Sequence, residues 1–238
     1  MSTRAHENRR VEREIEERIA PPGAVVYEAI FREGQHELDR GSRALAWSGL
    51  AAGLSMGFSF VAEALLRLQL PEARWAPAVS KLGYSIGFLI VILGRQQLFT
   101  KNTLTVILPL LSRRSRSRLA DVGRLWIIIL GANLAGALLF AWFLADTRVF
   151  DPETRAMFAR LSADLPLAAG FWGMLLRSIL AGGLIALMIW LLPFAESAHV
   201  WVITALAYIV GLGHFPHIVA ASVPAFYGVL TGGLGVGR

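Results

Sequence analysis

The most constraining stretch of this chain is Gly94-Arg95-Gln96-Gln97-Leu98-Phe99-Thr100-Lys101-Asn102-Thr103, a polar notch inside an apolar run. Apolar residues precede it from Leu82 to Leu93 and follow it from Leu104 to Leu111. One unbroken helix over Leu82–Leu111 would be roughly 45 Å long at about 1.5 Å per residue. The hydrocarbon core of a bilayer is only about 30 Å thick. Each flank is too short to cross alone, so the economical solution is one span built from two half-helices with a break at mid-membrane. Irregular backbone survives at that depth only where protein buries it or where it lines a wet cavity. The competing reading is an ordinary helix ending near Arg95, followed by an interfacial amphipathic piece.

Composition agrees with a membrane setting. Of 238 residues, 55% are hydrophobic and 17% charged, and mean hydropathy is +0.54. Several apolar segments reach span length, which defines an all-α polytopic membrane protein rather than a soluble domain. The net charge of +6 does not point to nucleic acid, because the arginines cluster at the ends of apolar runs. There is no cysteine, which excludes disulfides and thiolate metal sites. The N-terminus lacks the short apolar region of a cleavable signal.

Residues 1–41 read as a cytoplasmic tail and an amphipathic helix, and 42–238 as a transmembrane domain of five spans, two of them broken. The tail contains the mixed-charge run Arg9–Arg18, which reads as partly helical, and Pro21-Pro22-Gly23 ends it. Val25, Val26, Ala29, Ile30 and Leu38 then recur at helical spacing, predicting a helix on the membrane surface or against a partner.

The first span covers about Arg43–Leu66, with Glu63 near one end and Arg67 as its expected partner. The notch interrupts the second, and Ser112–Arg118 after it is strongly basic, which marks the cytoplasmic side. The third, about Gly123–Ala145, carries Gly131 and Gly136 for close helix packing and Asn133 for a bond to a neighbouring helix. Asp146–Asp164 reads as an external loop. The fourth, about Phe171–Phe194, holds Gly182 and Gly183 at its centre and Arg177 one turn earlier, either snorkelling or lining an aqueous path.

A second notch, Gly211-Leu212-Gly213-His214-Phe215-Pro216-His217, interrupts the fifth span, with Pro216 suited to the start of a new helix. The breaks fall in spans two and five, the matched positions of an inverted repeat with a site at its interface. The fold class is therefore an aquaporin-like inverted repeat with an incomplete second copy. The first half takes about 100 residues and the second about 70, a shortfall of roughly one helix and a loop. A sixth span is the element that this count leaves out, either because the sequence is cut short or because the protein dispenses with it, and Thr231–Arg238 reads as a linker.

These residues resemble the formate/nitrite transporter family, and most closely its inner-membrane branch. The likeness runs from about Ala29 to Gly233, and Arg95–Thr103 is its most specific part, similar to the family's Leu-Phe-Thr break. Gly49–Gly57 and Gly131–Gly136 support it, and His217–Ser222 is similar to the segment opening with the family's central pore histidine. His214 is a second candidate for that histidine.

The resemblance implies a homopentamer in the bacterial inner membrane, each protomer with its own pore for small monovalent anions. It implies an apolar constriction at Leu98 and Phe99, and a hydrogen bond from Thr100 to the histidine. Gly182 stands where relatives of known substrate carry an asparagine. Their lysine before span four and the acid before the histidine have no counterpart, and Arg177 is a nearby cation only.

Physically, an anion in such a passage loses hydration that half-helix N-termini near Thr100 and His217 would offset. A histidine there could lend a proton, so that the anion crosses as its neutral acid. No cofactor and no enzyme activity are expected. The alternatives are a membrane metal site or enzyme using His214 and His217, which lacks supporting acids, and a non-transporting remnant.

Overall fold

The computed structural model describes residues 23–112, 115–165 and 170–233, all of whose regular elements are helices. The tail before Gly23, including Arg9–Arg18, and the last residues of the linker lie outside the described residues. In chain order the elements are α1 (Gly23–Asp39), α2 (Ser42–Gln69), α3 (Ala76–Ser80), α4 (Ser85–Leu93), α5 (Phe99–Thr105) and α6 (Ile107–Ser112), followed by α7 (Arg116–Asp146), α8 (Pro152–Ala163), α9 (Gly170–Leu191), α10 (His199–Leu212) and α11 (Ile218–Leu230). Short 3₁₀ turns join α9 to α10.

Among the described residues, four stretches are long and apolar enough to cross a membrane: Ser42–Gln69, Ala76–Leu93, Arg116–Asp146 and Gly170–Phe194. Of the five expected spans the fifth is the pair α10 and α11, 14 and 13 residues long. The second begins at Ala76, not Leu82. Lys81 directly precedes the apolar run and would be costly in lipid alone, but it pairs with Glu63 and stays inside. Glu63 is therefore bonded to Lys81 rather than to Arg67.

Both notches fold into the same backbone corner. After α4, Arg95 takes φ 49°, Gln96 N–H reaches back to Val91 O, and Leu98 is extended at φ −99°, ψ 127° as the N-cap of α5. After α10, His214 takes φ 48°, Phe215 N–H reaches Val210 O, and His217 caps α11 at φ −102°, ψ 118°. In each, a left-handed residue closes one helix as in a Schellman turn, and an extended residue opens the next. Pro216 therefore precedes the cap instead of occupying the first helical position. This repeated corner is the inverted repeat made visible, and neither segment runs as a continuous rod.

The first and third spans, α2 and α7, form the tightest pair. A Cβ on Gly53 would come 2.1 Å from Asn133 O, and one on Gly136 would come 2.4 Å from Leu50 O, so the backbones approach as only small residues allow. Gly131 does not share this role: a Cβ there meets nothing within 4 Å, because it lies on the face of α7 turned away from α2.

Two other expectations change. Asp146–Asp164 is not all loop: Asp151 accepts from Glu153 N–H and Thr154 N–H, both at 2.9 Å, and caps α8, with Pro152 at its first position. The amphipathic helix α1 packs on the chain itself. Val26 and Ile30 are buried with Ile189, against Leu104, Leu108 and Trp190, whereas Val25 and Ala29 face outward.

Candidate functional site

Two polar assemblies meet at the breaks. The first is a scaffold of amides around Leu98. Asn133, fully buried, donates through Nδ2 to Gly49 O and Gln97 O, each at 2.8 Å, and accepts from Phe99 N–H at 2.9 Å. Through Gln97 O and Phe99 N–H it satisfies backbone groups that the interrupted helix leaves open. Gln97 accepts from Asn102 Nδ2 at 2.8 Å and donates through Nε2 to Glu37 Oε2 at 2.9 Å. Glu37 also holds Arg40 at 3.1 Å, and Lys101 pairs with Glu33 at 2.6 Å. Helix α1 is thereby fastened to the break. Glu37 is not singled out by the sequence, although its phase with Val26 and Ile30 along α1 is a detectable signal.

The second assembly joins the breaks. Thr100 Oγ1 and His217 Nε2 lie 2.7 Å apart, which brings the first turns of α5 and α11 together. His217 Nδ1 accepts from Ala220 N–H at 3.2 Å. A backbone N–H can only donate, so Nδ1 carries no proton and the neutral ring bears its hydrogen on Nε2, donating it to Thr100 Oγ1. The Thr100 hydroxyl hydrogen is then available to another acceptor. The N–H groups of Thr100, Lys101, Ile218 and Val219 have, by position, no acceptor inside their helices. The His217 ring is only 2% exposed and packs edge-on to Phe88, centroids 5.0 Å apart.

A cavity of about 170 Å³ runs up to His217. Its polar wall is Ser59, Glu63, Lys81, Asp164, His214 and His217, and most of the remainder is apolar. His217 is common to this wall and to the Thr100 contact. Of the expected site residues, the structure brings Thr100, His217, His214 and Pro216 to the cavity or its inner end. Leu98 is buried in the core among Phe88, Val91 and Val219, and Phe99 packs against Trp126 at 6.2 Å; neither is on the cavity wall. Gly182 lies on an exposed face of α9 with open space beside it. Arg177 is exposed on the same helix.

Both nitrogens of His217 are engaged, and the described residues hold no cluster of three or more groups able to ligate a metal.

A chain of apolar spans with two matched half-helix corners meeting at a histidine has the architecture of a pore-forming membrane protein. Comparison with known proteins makes this specific: the family model for the formate/nitrite transporter matches residues 24–238, and the chain belongs to that family. It is 36% identical over 219 residues to the inner membrane protein YfdC of Escherichia coli, covering 92% of this chain and 70% of that protein. It is 26% identical over 231 residues to the uncharacterized transporter YrhG of Bacillus subtilis, covering 90% of this chain and 83% of that one. Over 105 residues, 42% of this chain and 36% of that protein, it is 29% identical to the formate channel FocA of Haemophilus influenzae. The solved structure of a pentameric formate channel with formate bound superposes with a TM-score of 0.68 at 17% identity, over 80% of this chain and 81% of that one. The last likeness is one of fold. The chain is a multi-pass membrane protein of a channel and transporter family, not an enzyme.

Proposed function

We propose that this protein is a membrane channel for small monovalent anions of the formate or nitrite type, whose path passes the Thr100–His217 contact. The observation that carries the reading is the 2.7 Å approach of Thr100 Oγ1 to His217 Nε2, where two helix N-terminal turns converge with unused N–H donors. An anion there gains hydrogen bonds from neutral groups and the positive ends of helix dipoles without a buried counter-charge. Leu98 and Phe99, adjoining Thr100, are the apolar constriction in this reading, and Gly182 leaves its turn of α9 without a side chain.

The assembly we infer is a homopentamer, supported by the pentameric neighbour and by the large apolar side chains on the outer faces of α7 and α9, such as Ile127, Trp142, Phe171 and Trp172. The N-terminus lies in the cytoplasm. Helix α1 packs on α5 and α6, the half-span that leads to the basic loop, and basic loops stay inside. Residues 1–41 then form the cytoplasmic part and 42–238 the membrane domain.

Proton coupling is the finer form of the proposal. To act as an acid, the ring must take a second proton at Nδ1 and give up its bond to Ala220 N–H. His217→Asn separates the two modes, because asparagine also caps helices well and cannot be protonated. The test is formate and nitrite flux in proteoliposomes with and without a pH gradient. Coupling predicts that His217→Asn loses the response to the gradient; an uncoupled channel keeps equal flux in both. Unchanged flux in both Thr100→Val and His217→Phe would remove the site.

A further inference from the structure

Lys81 and Glu63 form an ion pair inside the membrane-spanning region, with side chains 16% and 7% exposed. Gly83 fixes the arrangement: a Cβ there would come 2.5 Å from Ala62 C and Glu63 N, so the turn after α3 sits directly on α2 and carries Lys81 to Glu63. Taking two charges out of water is costly, and an apolar pair of the same volume is often as stable. Charges kept at such depth mark a functional site by default.

Both residues are on the wall of the cavity that ends at His217. Among the described residues Glu63 is the single side-chain acceptor for Lys81 Nζ, which leaves further N–H donors of the ammonium without a side-chain partner. Asp164, His214 and Tyr84 are the other titratable groups that share this cavity with the pair and His217. Among the described residues the ammonium is therefore the one lysine or arginine cation on the wall, and a carboxylate already occupies it.

We propose that Lys81 is a binding residue for small monocarboxylates at the outer part of the cavity, and that Glu63 is a built-in competitor holding that place until the substrate displaces it. The Glu63 carboxylate is the chemical likeness of the ligand. Its tether keeps the lysine from retaining an arriving anion too tightly, and a conducting site must release as readily as it binds. The inference rests on the channel reading above and adds to it a second binding position, with a preference for carboxylates among those anions.

The test measures formate flux against concentration in proteoliposomes for wild type, Glu63→Gln, Lys81→Met and the double variant. Glu63→Gln is expected to lower the half-saturating formate concentration by about tenfold, and Lys81→Met to raise it by about tenfold or more, the scale of one charge-assisted hydrogen bond. The double variant, which leaves no uncompensated charge, should match Lys81→Met even if the single variant fails to assemble. A second readout needs no variant: formate should slow acylation of Lys81 by a small amine reagent, followed by mass spectrometry. A purely structural pair predicts no gain of affinity in Glu63→Gln. Wild-type flux with unaltered half-saturation in these variants, or no protection of Lys81 by formate, overturns the inference alone. A wild type that neither passes formate nor is protected by it overturns the channel reading together with it.

Discussion

Gln97 Nε2 donates to Glu37 Oε2 across 2.9 Å, and through that bond the helix before the first span is tied to the interruption of the second. Glu37→Ala leaves Gln97 Nε2 without its acceptor and Arg40 without its partner. An unmet buried donor costs about 1–3 kcal/mol. The expected result is a lower thermal midpoint for the detergent-solubilised oligomer, read by fluorescence-detected size exclusion. Glu37→Gln, which still accepts from Gln97, should retain most of the stability.

Asn133 supports three backbone groups at once. Asn133→Ala orphans Phe99 N–H and leaves Gln97 O without its donor, a loss of about 2 kcal/mol or more when buried groups are summed. Asn133→Asp should be no better, since a carboxylate sets acceptor against acceptor at both carbonyls. The measure is the yield of assembled protein in membranes. Recovery of either variant at wild-type yield would show that the break holds itself without the amide.

Gly53 and Gly131 lie on facing spans and should respond to the same substitution in opposite ways. Gly53→Ala should damage assembly, because the added carbon meets Asn133 O at 2.1 Å and backbone cannot step aside. Gly131→Ala should be neutral within the protomer, or raise its stability by up to about 1 kcal/mol, because a Cβ there meets nothing within 4 Å of the same chain and alanine favours helix. Thermal midpoints of the two variants in one detergent compare them directly.

Outside the spans, Asp151 gives a pH-dependent prediction. Hydrogen bonds from the Thr154 backbone N–H, and next from the Thr154 hydroxyl, hold its carboxyl below the ordinary carboxylate range. A group whose value is lowered by folding stabilises the fold above its unfolded value, and loses that contribution as pH falls through the folded one. Amide-exchange protection across α8 should therefore fall at acid pH in wild type. In Asp151→Asn, which caps without a charge, this acid dependence should disappear.

The breaks were legible in the sequence because glycine, proline and hydrogen-bonding side chains halfway along an apolar run are costly in lipid unless the helix stops there. Thr100 and His217 were legible as a pair through family resemblance; their spacing of 117 residues carries no local signal. The Glu63–Lys81 pair stayed hidden for the same reason, since Arg67, one helical turn from Glu63, was the nearer candidate by sequence. The facing of Gly131 could not be read from α7 alone, because a helix does not encode which side its neighbour takes. Helix α8 has a start signal in Asp151-Pro152-Glu153, but the balanced charge of the loop around it masks that signal.

The matched corners at Arg95 and His214 have an implication for how such a molecule diversifies. The bend does not depend on side-chain identity, since Arg-Gln-Gln-Leu and His-Phe-Pro-His achieve it alike with one left-handed residue and one extended cap. One copy is then at liberty to become girder, as the amides around Gln97 have done, while its twin becomes instrument, as His217 has. A duplicated gene product can in this way divide labour between its halves while their outlines stay superimposable.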